Sequence, residues 1–144
     1  MNRIAFIKSI LAKGLLVSLP FNGKEKEDKL TRILLYRHHV AGFQYGEGLR
    51  MVEKMKEGDE LLLVREPENI HDEDAVAVYW KHHRIGYVPA VDNEMPNNFL
   101  LQGLSLIARV DGLNKTAKPW QMCEAGIYLL YPKNLLQKNL IREQ

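Results

Sequence analysis

The stretch "LLLVREPENIHDEDAVAVYWKHHRIGYVP", Leu61 to Pro89, decides the architecture. It opens on an unbroken apolar run and breaks at "PENIHDEDA" into a charged, turn-rich loop. Apolar character returns in "AVAVYW", residues 75–80, reverses at "KHH", and closes in "RIGYVP". Short runs rich in β-branched and aromatic residues, bounded by Gly, Pro, Asn and Asp, are strand signals. The stretch therefore predicts strands over 60–65 and 75–80, then a third short strand ended by Pro89, whose ring nitrogen cannot donate to a ladder. Within the loop, Asn69 and Asp72 carry short acceptor side chains that bond backbone N–H groups, which shapes a turn without any ligand. Arg65 and Glu66 are expected to pair along or across the sheet.

The pattern extends in both directions. Upstream, "RILLYRHHVAGF", residues 32–43, reads as a strand, and "GFQYGEG" as a bend that uses Gly42, Gly46 and Gly48. Residues 49–57 predict a short helical turn. Downstream, "AVDNEMPNNFLLQG" predicts a helix interrupted by Pro96, "LSLIARVDGL" a strand, "NKTAKPWQMC" a polar excursion, and "AGIYLLYP" the last strand. Many short strands and few helices predict a mainly β chain, a small antiparallel barrel or curled sheet. Ile4, Ile7, Leu11 and Leu15 recur at helical spacing, and "LPFNGKEKEDK" follows as a polar linker. The expected division is an N-terminal helix and linker over 1–30, a β-domain over 31–132, and a tail over 133–144 that forms a short helix.

The chain has 144 residues, 46% hydrophobic and 26% charged, which suits one domain with one modest core. No segment is apolar enough to span a membrane. Lys8 and Lys13 interrupt the apolar start and no small-residue cleavage site follows, so the N-terminus reads as mature protein. Cys123 is the single cysteine, which excludes an internal disulfide and a thiolate cluster and fits a buried thiol in a cytoplasmic protein. Net charge is only +2 and uneven: residues 47–80 hold four Lys/Arg against ten Asp/Glu. A protein that coats long duplex DNA is more basic than this.

Three chemistries compete for the loop. His71, Asp72, Glu73 and Asp74 are all metal-ligand types, but consecutive residues of an extended segment point different ways, and the run matches neither an EF-hand nor H-E-x-x-H. The pairs His38–His39 and His82–His83 read as surface histidines at strand ends and turns. Catalysis has less support: no serine sits in a nucleophile elbow, no phosphate-binding loop is present, and no base stands near Cys123 in sequence. No cofactor, metal or enzymatic activity is expected, and a metal-dependent nuclease is the least favoured class. Binding remains. Single-stranded nucleic acid needs aromatic faces and phosphate donors; Tyr45, His71 and Tyr87 near loops and Arg32, Arg37, Lys81 and Arg84 supply both types. Tyr87, Trp80 and Trp120 also suit core edges, so residue types leave nucleic-acid binding and a protein-interaction module both open.

Taken together, "HVAGFQY", "LLLVREPENIHDEDAVAVY" and "RIGYVP" resemble the HIRAN domain over about residues 33–130. The family pattern is Gly-x-x-Tyr after a strand, then Arg-(Glu/Asp)-Pro-x-Asn-Pro-x-Asp-x-Asn-Ala, then Gly-(Tyr/His)-(Val/Leu). The resemblance implies a small OB-like, SH3-like antiparallel β-barrel with one or two short helices, here preceded by an added N-terminal helix. It implies a DNA-binding module that captures the 3′-hydroxyl end of single-stranded DNA in repair or replication, in the manner of a stand-alone bacterial-type member. A helicase or nuclease partner chain would supply any remodelling activity. By resemblance, Gln44 and Tyr45 lie on the first loop, with the tyrosine against a base or the backbone. Asn69 and Asp72 shape the end pocket, with Asp72 accepting a bond from the terminal hydroxyl, and Tyr87 lies near a phosphate. His71 stands where some members use tyrosine to stack. Lys81 and Arg84 add charge from the hairpin. This chain departs from the pattern at Gly46, Ile70, Asp74 and Ala90, where a second tyrosine, proline, asparagine and lysine are usual.

Overall fold

The computed structural model describes residues 29–135. The helix expected over 4–17 and its linker lie outside the described residues, as does most of the tail; residues 133–135 begin a helical turn. Among the described residues the strands are β1 Leu30–His39, β2 Glu60–Arg65, β3 Val76–Trp80, β4 His83–Tyr87, β5 Leu106–Leu113 and β6 Cys123–Pro132. All pair antiparallel in one sheet of order β1-β6-β5-β2-β3-β4. Two short helices, α1 Gly48–Met51 and α2 Glu94–Leu101, fill connections.

The sheet curls towards a barrel that is not fully closed. Just past the end of β1, Ala41 makes a single antiparallel bridge to Tyr87 of the opposite edge strand, β4. The Ala41 N–H donates to the Tyr87 carbonyl at 2.8 Å and the Tyr87 N–H donates back at 2.9 Å. Gly86 makes this approach possible. Its φ is +154°, and any Cβ there would collide with the Ala41 carbonyl oxygen.

Inside the curl, Phe43, Met55, Leu63, Ile85, Leu106 and Ile127 are fully buried. A second, smaller cluster of Leu62, Val64 and Ala77 lies apart from this core, covered by half-buried Tyr79 and Tyr87. Side chains alternate between faces along a strand, so apolar burial on both faces of β2 accounts for the unbroken "LLLV". Tyr87 is thereby a lid on an outer cluster, with its hydroxyl edge available to the loop.

Most elements fall where the sequence puts them, with informative exceptions. β1 stops at His39, because Val40 and Phe43 turn into the core. The expected helix over 90–103 divides into a 3-10 turn at Ala90–Asp92 and α2, with Pro96 in the first turn, where a missing N–H removes no intrahelical bond. His38 is not a surface histidine: it is buried, and its Nδ1 lies 3.0 Å from the His39 carbonyl. Trp80 is core, whereas Trp120 is exposed.

Candidate functional site

The loop between β2 and β3 is built from side-chain acceptors. Its neck closes where the Glu66 N–H donates to the Ala75 carbonyl at 2.8 Å. Inside, Asn69 Oδ1 accepts from the N–H groups of His71 at 2.9 Å and Asp72 at 3.2 Å. Asp72 Oδ1 then accepts from the Asp74 N–H at 2.9 Å. These are the local bonds that short Asn and Asp side chains make in turns.

The loop is also fastened from outside, by residues the sequence reading missed. Asn93 Nδ2 donates to Asp72 Oδ2 at 2.6 Å, and Asn97 Nδ2 donates to Asp74 Oδ1 at 2.8 Å. Arg65 pairs with neither Glu66 nor solvent alone: its Nε donates to Asn97 Oδ1 at 2.6 Å. Asn93 and Asn97 are each only 4% exposed. A buried amide must spend both its donor and its acceptor to avoid a desolvation penalty of about 1–3 kcal/mol, and Asn97 does so between Asp74 and Arg65. The available signal was their spacing of four residues, which puts both on the side of α2 that carries buried Leu100. The result is a carboxylate, Asp72, whose orientation is fixed by one donor on each oxygen. An ionised carboxylate has about four acceptor positions, so capacity for a further donor remains.

A second wall is formed by β4. The Tyr87 hydroxyl donates to Glu66 Oε1 at 2.9 Å and accepts from Arg84 Nη1 at 3.2 Å. Burial first, and then the bond to Glu66, raises the pKa of Tyr87, so the hydroxyl stays a donor. Glu66 Oε1 also accepts from Asn69 Nδ2 at 3.1 Å. A continuous chain thus runs Arg84, Tyr87, Glu66, Asn69, Asp72.

The turn bearing Gln44 and Tyr45 abuts the same strand. The Tyr45 N–H donates to the Gly42 carbonyl at 2.9 Å, and the Glu47 N–H to the Arg84 carbonyl at 2.8 Å. Gly46 lies so close that a Cβ would stand 2.8 Å from the Arg84 carbonyl oxygen. Tyr45 is 86% exposed, and Gln44 Oε1 is buried with no hydrogen-bond partner among the described residues. The structure therefore brings Asn69, Asp72, Tyr87 and Arg84 together, joins the turn that bears Gln44 and Tyr45 to the Arg84 backbone through Gly46 and Glu47, and leaves the side chain of His71 exposed on the loop. Lys81 is not brought in. It occupies the β3–β4 turn at φ +55°, with Nζ 4.5 Å from the centroid of the Trp80 ring, at the other end of the hairpin from Tyr87.

Other reactive types are accounted for elsewhere. His83 stacks on Trp80, with Nδ1 3.3 Å from Glu47 Oε1, and Arg50 also pairs with Glu47. Burial pushes the Cys123 thiol up to about 12, which keeps it protonated and non-nucleophilic. Among the described residues no group of three or more His, Cys, Asp or Glu side chains is placed to hold a metal ion. No described helix is long and apolar enough to cross a membrane. An open cavity of about 450 Å³, lined by His39, Glu57, Leu113, Asn114, Met122 and Glu124 among others, includes no residue of the loop.

Comparison with known proteins adds three findings. The HIRAN domain family model matches residues 33–128. A crystal structure of a protein from Lactobacillus plantarum is similar, with TM-score 0.61 and 24% identity, covering 70% of this chain and 97% of that one. The crystal structure of the HIRAN domain of human HLTF is similar at TM-score 0.56 and 14% identity, covering 75% of this chain and 84% of that one. At these identities the two structures speak for the fold. No curated protein matches the chain.

Proposed function

The chain belongs to the HIRAN domain family, and from that membership we propose that it is a non-catalytic module that holds single-stranded DNA by a free 3′-hydroxyl end. HIRAN domains are DNA-binding modules, so nucleic acid is the ligand class. The finer reading rests on one observation above the others: the Asp72 carboxylate, fixed by the Asp74 N–H and by Asn93. A terminal hydroxyl can donate to that carboxylate. An internal nucleotide carries a phosphate at the same position, and two anions in contact repel. The acidity of the loop, with Glu66, Glu68, Glu73 and Asp74 around Asp72, thus favours an end over a continuous backbone.

The remaining parts have matching roles. Tyr45, projecting into solvent, offers a face on which a base stacks. Arg84 with Tyr87 meets a phosphate near the terminus. Residues 31–132 form the binding domain, with 1–30 and 133–144 as appendages. In a cytoplasmic repair or replication setting, a helicase or nuclease chain would act on the strand that this module holds.

A second reading, a protein-interaction module on the same barrel, draws on Ile70 and Val91. Each is 91% exposed, and they flank the residues joined by the Asp72–Asn93 bond. Titration with one sequence as a linear single strand and as a closed circle separates the two readings. End capture gives tighter binding of the linear strand. Equal binding removes it, and no binding to either form at low salt favours the interaction module.

A further inference from the structure

Away from the Asp72 loop, three neighbouring strands lose their regularity around a single carboxylate. The β1–β6 register shifts between Leu34 and Tyr36, and the β5–β6 register shifts between Val110 and Gly112, leaving Asp111 as the extra residue. Between them, β6 contributes Gly126, where any Cβ would collide with Asp111 Oδ2. Bulges re-aim side chains and gather near functional sites; here the β5 bulge and Gly126 make room for one carboxylate, and the β1 bulge lies two residues before Arg37.

The Asp111 side chain, 4% exposed, accepts from the Tyr128 hydroxyl at 2.5 Å, from Arg37 Nε at 2.7 Å and from Arg109 Nε at 2.9 Å. Arg109 Nη2 also donates to the Tyr128 hydroxyl at 2.8 Å. Burial alone would raise the pKa of Asp111, but the bonds from Tyr128, Arg37 and Arg109 together hold it below the usual carboxylate value. A purely structural cluster is a poor explanation for so much irregularity, since ion pairs whose cations are this exposed contribute little to stability. What the cluster does provide is presentation. Each guanidinium has five N–H donors; Arg37 and Arg109 spend only part of theirs on Asp111 and Tyr128, and their side chains are 49% and 38% exposed. Two forks fixed from behind by a shared carboxylate suit an oxyanion in front of them.

We infer that Arg37 and Arg109, held by Asp111 and Tyr128, form a second contact of this domain, one that takes a phosphodiester oxyanion of the bound strand. It rests on the nucleic-acid reading but not on end recognition. The path is short. Arg37, His39 and Ala41 share a face of the chain, and Ala41 bridges to Tyr87 of the candidate site. Four residues of strand span about 13 Å. Glu60, opposite Arg109, and Glu124, opposite His39, border the cluster and weaken its field, which limits it to a single phosphate contact and not a backbone track.

The test is the salt dependence of binding to linear and circular single-stranded oligodeoxynucleotides. Arg37→Ala should lower affinity by the same factor for both forms and reduce the slope of log K against log salt by about one. Arg37→Lys should retain most of the slope, and Asp72→Asn should leave it unchanged. If Arg37→Ala fails to fold, Arg37→Gln, which can still donate to Asp111, carries the same test. An unchanged slope in a folded variant overturns the inference even if end recognition holds. A reduced slope with equal affinity for linear and circular strands supports the cluster while removing end recognition. Inorganic phosphate substituted for chloride at equal ionic strength should not displace the strand. Displacement by phosphate, with identical slopes for wild type and Arg37→Ala, would assign the cluster to a free anion and overturn the strand contact. Absence of binding to either form at low salt overturns both proposals.

Discussion

Asp72 and Tyr45 show how differently two residues of one site are built. Asp72 is determined by its surroundings: each carboxylate oxygen has a donor, one from the loop's own backbone and one from Asn93. Tyr45 is determined by almost nothing but its turn and is 86% exposed. An aromatic left in water on a rigid turn adds no stability, so its removal separates binding from folding. Tyr45→Ala should weaken single-stranded oligonucleotide binding by about 1–3 kcal/mol, the usual worth of a stacked base, with no change in melting temperature. Equal affinities would remove the stacking role. At this scale the sequence was half legible. Local acceptors such as Asn69 and Asp72 announce themselves by type and spacing, because their partners are a few residues away. Asn93 and Asn97 did not, because their partners are more than twenty residues distant and an asparagine in a helix normally reads as a surface residue.

Elements were largely legible, and the joints between them less so. The strand at 60–65 coincides with β2, since an apolar run between a Gly-Asp turn and a Pro loop has few alternatives. A barrel or curled sheet was expected, but the joint that nearly closes it was not visible, because one bridge between Ala41 and Tyr87 leaves no periodic trace. It does leave a glycine. Gly86 holds φ +154° against the Ala41 carbonyl, so Gly86→Ala combines backbone strain with a clash. It should destabilise the domain by at least ~2 kcal/mol, read as a lower urea midpoint, and speed amide exchange at Ala41 and Tyr87. Wild-type stability in this variant would mean that the bridge contributes little to the fold.

For the whole molecule, burial of one histidine predicts a pH dependence. Burial lowers the pKa of His38 from its ordinary 6.5, outweighing its bond to the His39 carbonyl and the nearby Asp92 and Glu124. The unfolded chain then binds the proton more readily than the folded one, so this contribution is complete above 6.5 and is lost as pH falls through the folded value. Urea midpoints taken between about pH 8 and pH 5 should fall on acidification, and His38→Phe should flatten that part of the curve. An identical pH dependence in the variant would assign the loss to other groups. The overall fold class was readable from the sequence because alternation, turn residues and the spaced motif all agreed. How three strands converge on Asp111 was not, because a bulge changes register without changing composition. End recognition by Asp72 is best tested as a cycle: one oligonucleotide ending in a 3′-hydroxyl and one in a 3′-phosphate, each titrated against wild type and Asp72→Asn. Wild type should prefer the hydroxyl at least tenfold, about 1.4 kcal/mol, and Asp72→Asn should bind the two ends alike. Equal binding of both ends by wild type, or a preference that survives Asp72→Asn, would contradict it.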